Sequence, residues 1–129
     1  MKTKSIFILL SCLISCNRAN TARESAMQTV QLLENEKQLG DISNNKLVEL
    51  EVKFQNSYGN DVSIDNFQGS CGCTDIKMVS KAIKAKSTAR VSVVYDPKED
   101  VGETKKKVVF RLSNGQLLLY TFTANVIKE

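Results

Sequence analysis

The stretch KLVELEVKFQN, residues 46–56, decides the fold. Val48, Leu50, Val52 and Phe54 take alternate positions, and Glu49, Glu51, Lys53 and Gln55 fill those between. Successive side chains on a strand point to opposite faces, so this period of two predicts a strand with one buried and one solvated side. The same period recurs in both directions. Downstream, Tyr58-Gly59-Asn60-Asp61 reads as a turn and residues 62–67 as the next strand. Residues 76–79 form a short strand and residues 81–87 a lysine-rich connection. Residues 88–95 then place Val91, Val93 and Tyr95 inward until Asp96-Pro97 ends the run. Residues 107–112 and 116–126 flank Asn114-Gly115, the preferred pair for a tight hairpin because both residues tolerate positive φ. Leu118, Tyr120, Phe122, Ala124 and Val126 line one face of the last strand.

Upstream the pattern is ambiguous. Ala22, Ala26, Val30 and Leu33 recur at helical spacing, while Val30 and Leu32 alternate as in a strand. A flexible start and a first short strand over residues 29–34 are expected, with a helix within residues 22–37 as the competitor. The whole predicts an all-β fold, an Ig-like antiparallel β-sandwich of about seven strands. An antibody-type sandwich joins its sheets through two distant cysteines packed on a tryptophan. This chain has no tryptophan, so hydrophobic packing must hold the sheets.

At 129 residues there is room for one domain, and 42% apolar with 25% charged residues is the balance of a globular protein. The absence of histidine removes Ser/His/Asp and Cys/His nucleophile systems, His-ligated zinc catalysis and imidazole acid-base chemistry.

The N-terminus carries its own signal. Lys2 and Lys4 precede an apolar run from Ile6 through Ile14, too short for a transmembrane helix of about 20 residues but long enough for a signal-peptide core. Its ending, Leu13-Ile14-Ser15-Cys16, resembles the lipobox of bacterial lipoproteins, in which the cysteine after the cut carries diacylglycerol. Leu9-Leu10-Ser11-Cys12 also fits but leaves a very short core, so Cys16 is the expected lipidation site. A simple secretory signal or an N-terminal core strand is the plainer alternative. The expected organisation is a lipoprotein signal peptide at 1–15, a tether with a first strand or helix at 16–37, and the sandwich at 38–129. Acyl chains contribute about 0.8 kcal/mol per buried methylene, so two or three of them anchor a protein that does not span. Asn17 follows Cys16 and residues 17–22 hold no acidic group, which favours an outer-membrane anchor facing the periplasm.

Cutting after residue 15 removes two of the 18 basic groups and none of the 14 acidic ones, so the net charge falls from +4 to +2. Lys105-Lys106-Lys107 is the one compact basic run, without interleaved aromatics; it reads as a solvated strand edge, and no nucleic-acid partner is expected.

Ser70-Cys71-Gly72-Cys73-Thr74 is the stretch that can carry chemistry. Cysteines two apart can bring their Cα atoms within the roughly 4.4–6.8 Å of a disulfide. Three readings compete. The pair is a local clamp, or simply two small buried hydrophobes. It is an easily reduced disulfide that exchanges with partner thiols, although it lacks the Cys-x-x-Cys spacing of thioredoxin-like enzymes. Or two soft thiolates, with Met78, hold Cu(I), zinc being disfavoured because two ligands are missing. Asp96, Glu99, Asp100, Gly102 and Glu103 superficially suggest calcium, but the alternating ligands of a calcium loop are absent, so an exposed turn is expected. Glu49 and Glu51 pose as paired catalytic carboxylates yet belong to the solvated face of a strand. No phosphate-cradling motif is present. No catalytic residue, metal, cofactor or small-molecule substrate is therefore assigned.

The lipobox, Leu39-Gly40-Asp41-Ile42, Phe54-Gln55-Asn56, Ser70-Cys71-Gly72-Cys73-Thr74 and Val91-Ser92-Val93-Val94-Tyr95-Asp96 together resemble the fifteen-seventy-three domain-of-unknown-function family. Its members are Ig-like, mostly secreted or lipid-anchored proteins, mainly of Bacteroidetes. The resemblance spans about residues 39–126, with Ala85-Lys86 where the family usually has Pro-Gly. It implies a fold and a compartment, and no activity.

These readings converge on a lipid-anchored, non-enzymatic Ig-like module that meets an envelope protein partner. Thiol exchange through Cys71 and Cys73 is the alternative from another class, and Cu(I) carriage a third.

Overall fold

The computed structural model describes residues 30–78 and 80–129. They form nine strands in two sheets and, among the described residues, no helix. One sheet has four strands, in the order β1 (Val30–Leu32), β3 (Val48–Asn56), β7 (Thr88–Tyr95), β5 (Thr74–Lys77). The other has five, in the order β2 (Glu36–Ser43), β9 (Leu117–Ile127), β8 (Gly102–Leu112), β4 (Val62–Gly69), β6 (Ala82–Ile83).

Alternation builds the core as anticipated. Leu50, Val52 and Phe54 of β3 and Val91, Val93 and Tyr95 of β7 turn inward from the four-stranded sheet. Val108, Phe110 and Leu112 of β8 and Tyr120, Phe122, Ala124 and Val126 of β9 meet them from the other. The sheets touch through aromatic pairs: Phe54 lies edge-on to Phe110 with ring centres 5.0 Å apart, and Tyr95 meets Phe122 at 5.1 Å. Burial of this apolar surface, at about 25 cal/mol per Å2, holds the layers together.

The expected sandwich of about seven strands has two more. One is β6, inside the lysine-rich connection, where Ile83 is fully buried. The other is β2, which lies within the stretch read partly as tether. It runs parallel to β9, so one pair departs from the antiparallel expectation. The chain leaves β1 through Leu33, Glu34 and Asn35, crosses to the other sheet, and arrives running the same way as β9. Only Leu39 and Ile42 of β2 pack on the core, so this edge strand carries little hydrophobic pattern. The short first strand expected over 29–34 appears as β1, and the competing helix is replaced by strand over 30–32 and 36–37. Residues 22–29, like Cys12 and Cys16, lie outside the described residues.

Two turns differ from expectation in detail. The Asn114-Gly115 hairpin is a three-residue loop closed between Leu112 and Gln116, with Gly115 at φ 86° and Asn114 not at positive φ. A loop of that length needs one left-handed residue rather than two. Before β7, Lys86 takes the left-handed φ of 54°, the position where a glycine would sit without steric penalty.

Candidate functional site

β4 ends at Gly69 beside Val108 in the five-stranded sheet, and β5 begins at Thr74 opposite Tyr95 in the four-stranded one. Residues 70–73 therefore carry the chain across the sandwich, and this corner is where Cys71 and Cys73 join in a disulfide, Cα atoms 5.2 Å apart. Hydrogen bonds fix both ends: Ser70 N–H donates to Lys107 O (2.8 Å), Lys107 N–H to the Ser70 side-chain Oγ (3.1 Å), and Asp96 N–H to Cys73 O (2.8 Å). A three-residue ring restricts the unfolded chain by only about 1.5 kcal/mol, so the bond acts chiefly on local geometry.

Gly69 permits the corner. A Cβ there would collide with Thr74 Oγ1 and lie 3.1 Å from the Cys71 carbonyl oxygen. Gly69→Ala is accordingly expected to lower stability by about 1–3 kcal/mol, read by urea denaturation; a change within about 0.5 kcal/mol would mean that the corner yields freely.

Cys71, Gly72 and Cys73 line one wall of an open cleft of about 420 Å3, and Asp96, Lys98, Glu99, Asp100 and Lys106 line the rest. In its wall Asp100 accepts at Oδ2 a hydrogen bond from the hydroxyl of the buried Tyr95 (2.5 Å), and Lys106 Nζ reaches both carboxylate oxygens at 3.0 and 2.9 Å. The Lys106 side chain is 12% exposed and Asp100 23%. Burial opposes ionisation of Asp100, but the bonds from Tyr95 and Lys106 outweigh it and hold the carboxyl below its usual range. Burial, reinforced by the Asp100 bond, pushes the Tyr95 hydroxyl up.

This cluster corrects two readings. Lys106 shares the inward face of β8 with Val108 and Phe110, whereas Lys105 and Lys107 stay exposed. Pairing of β8 with β4 stops at Val108, so among the described residues the lysine run has strand neighbours on one side only, as an edge does. Asp100 likewise leaves the exposed acidic turn to meet Lys106. The period of two through Lys106, Val108, Phe110 and Leu112 was the available signal. Because the Asp100 carboxyl is held low, its stabilising contribution is full above its ordinary pKa of about 4 and is lost as pH falls through the lower folded value. Asp100→Asn is expected to reduce stability at pH 7 by about 1–2 kcal/mol and to flatten the acid limb of the stability curve below pH 4; an unchanged acid limb would contradict this.

The other site residues are dispersed. Met78 packs against the core, and extended β5 sets it roughly 15 Å along the chain from Cys73, beyond the reach of one copper ion. Among the described residues no group of three or more Cys, Asp or Glu is placed to hold a metal. Glu51 pairs with Lys53 (3.4 Å) and Arg90 (3.5 Å) on the solvated face of β3.

A second feature had no signature in sequence. Between the free side of β3 and the edge strand β2 lies a cleft of about 490 Å3, with Leu33, Leu39, Val48, Leu50 and Tyr120 in its wall and Glu34, Lys37, Glu49, Glu51 and Lys53 at its rim. Burial, together with the charge of Glu34, pushes Tyr120 up to about 12.

Known structures repeat this architecture. The ASH / PapD-like domain 7 of human CEP192 superposes with a TM-score of 0.65 at 10% identity, covering 78% of this chain and 87% of that one. A protein of unknown function from Porphyromonas gingivalis gives 0.64 at 10% identity, over 78% of this chain and 50% of the other. The periplasmic chaperone SfaE gives 0.52 at 8% identity, over 76% and 59%. At such identities the likeness is one of fold. No curated protein matches the chain in sequence. The family match runs over residues 30–126, from the first residue of β1 to the penultimate residue of β9, and takes in the Cys71–Cys73 corner. The chain thus belongs to the family described as Protein of unknown function (DUF1573).

Proposed function

We propose that the protein is a non-catalytic binding module, tethered at the outer membrane through acyl chains on Cys16 and facing the periplasm, where it holds a protein partner. The observation that carries the binding reading is the open side of the sandwich, where part of β3 meets no strand among the described residues and lies beside a cleft with an apolar wall. The lipobox-like ending at Cys16 supports the anchor, and the Cys71–Cys73 bond supports an oxidising compartment. One structure of the same fold is a periplasmic chaperone.

Intact mass spectrometry of the protein taken from its own envelope tests the placement. The expected species begins at Cys16, carries the lipid mass and lacks two hydrogens at Cys71 and Cys73. Uncut, unacylated protein in the cytosol would overturn it. Multiple-turnover reduction or isomerisation of disulfide substrates would overturn the non-catalytic part.

A second reading rests on the cleft beside the disulfide. Lys98 and Lys106 line it, and cations near a sulfur favour its thiolate. A partner thiolate would attack one sulfur to form a mixed disulfide, while the other sulfur leaves as thiolate. Cys73→Ser should then accumulate mixed disulfides in cells; a clean absence of adducts removes exchange.

A further inference from the structure

The pairing of β1 with β3 covers Val30 to Leu32 against Phe54 to Asn56, and Leu33 N–H donating to Lys53 O (3.0 Å) is its last bond. There the chain departs for the other sheet. In an antiparallel ladder alternate residues turn their N–H and C=O groups to one side. Since Lys53 faces β1, Glu51 and Glu49 face the same way, and beyond Lys53 they meet no strand among the described residues. On the other side β7 covers β3 along its whole length from Val48 to Gln55. The four-stranded sheet therefore has a vacancy one short strand long, in line with β1 and directly above the apolar cleft.

We propose that this vacancy receives an extended segment of a partner protein in which lysine or arginine alternates with apolar residues. The segment would add to the edge of β3 at Glu49, Leu50 and Glu51. Directly opposed residues of an antiparallel pair point to the same face. A residue opposite Leu50 would enter the cleft toward Leu39 and Tyr120, and so must be apolar. Residues opposite Glu49 and Glu51 would lie on the outer face beside carboxylates. Lys37 pairs with Glu34 (3.6 Å), and both Lys53 (3.4 Å) and Arg90 (3.5 Å) pair with Glu51, so the unmet charge at this edge is that of Glu49. Glu49 has no cationic partner among the described residues.

The same charges argue against a second copy. Pairing β3 with itself about a two-fold at Leu50 sets Glu49 against Glu51, and centring on either glutamate sets that residue against its own counterpart. Like charges directly opposite are destabilising. Residues before Val30 would also have to double back, because β1 enters from the opposite end of the edge.

The assignment rests on the binding-module reading and deepens it. The test is hydrogen exchange of the full chain with a capped seven-residue peptide alternating lysine with valine. Exchange at the Glu49 and Glu51 amides should slow by about ten-fold or more on saturation. A glutamate–valine peptide should have no such effect. Glu49→Lys, on an exposed position, should leave the thermal transition in place and reverse the preference between the two peptides. Unchanged exchange, or equal slowing by both peptides, overturns the proposal. So does protection of these amides in the free chain, which would assign the vacancy to residues 17–29, or protection that grows with protein concentration, which would assign it to a second copy. If envelope cross-links form elsewhere on the surface while these amides stay unprotected, this assignment fails and the module reading stands.

Discussion

Phe110→Ala is expected to lower stability by about 3–5 kcal/mol, and the melting temperature by roughly 15–30 °C for a domain of this size. Phe110 is fully buried in β8, which is flanked by β4 and β9, and its ring stands perpendicular to Phe54 of the opposite sheet. Truncation removes the transfer free energy of a whole ring and leaves a cavity between two sheets that collapse poorly, because hydrogen-bonded ladders fix their backbones. Among the described residues no disulfide joins the sheets at that point, since Cys71 and Cys73 bond each other. Typical domain stabilities are about 5–15 kcal/mol, so this one change consumes much of the margin. Phe54→Ala should resemble it, and the double variant should fall short of additivity because the two rings share a contact. Urea denaturation gives the measurement: the midpoint should drop with the slope unchanged, and a loss below about 1 kcal/mol would show that the aromatic contact is not what joins the layers.

Asn56→Asp is expected to have the next largest effect, about 3 kcal/mol at pH 7. Asn56 is 1% exposed at the end of β3. Its amide nitrogen donates to Asn60 O (2.9 Å) and Ile83 O (3.1 Å), and its oxygen accepts from the Tyr58 N–H (2.9 Å). One side chain thereby closes the turn after β3 and holds β6 in place. A carboxylate would face two carbonyl oxygens with no proton to offer them. Burial and those carbonyls would raise the new carboxyl's pKa above its unfolded value of about 4. A raised carboxyl contributes fully below the unfolded value and loses that contribution as pH rises through the folded one. The deficit should therefore be smallest near pH 4 and grow toward neutrality. Asn56→Ala, which strands the same backbone groups without adding a charge, should show a deficit independent of pH in that range; matching pH profiles for the two variants would refute the electrostatic account.

How much was legible differs from strand to strand. Along β3 and β7 alternate residues face the core, so burial writes itself into alternate letters, as with Val91, Val93 and Tyr95. At β2 the strand packs little of itself on the core, and the letters carry almost nothing. Asn56 shows the limit inside a well-read strand: its position marks it as inward, but its polarity gives no hint that three backbone groups wait there. The Cys71–Cys73 corner was visible as chemistry, since two thiols two residues apart can bring their Cα atoms within the span of a disulfide. Its place at the crossing between sheets was not, because that depends on which sheet β4 and β5 join.

The sequence by itself determined the all-β class, the inward faces of the long strands, the close-set cysteine pair and the membership suggested by it, because each follows from spacings of a few residues. Only the tertiary structure decided that β2 runs parallel to β9, that Lys106 and Asp100 meet beside Tyr95, and that no strand among the described residues covers β3 beyond Lys53. Those features join residues from separate strands, and the loss of chain entropy in bringing them together is offset by the packing of the whole domain, which no local pattern records.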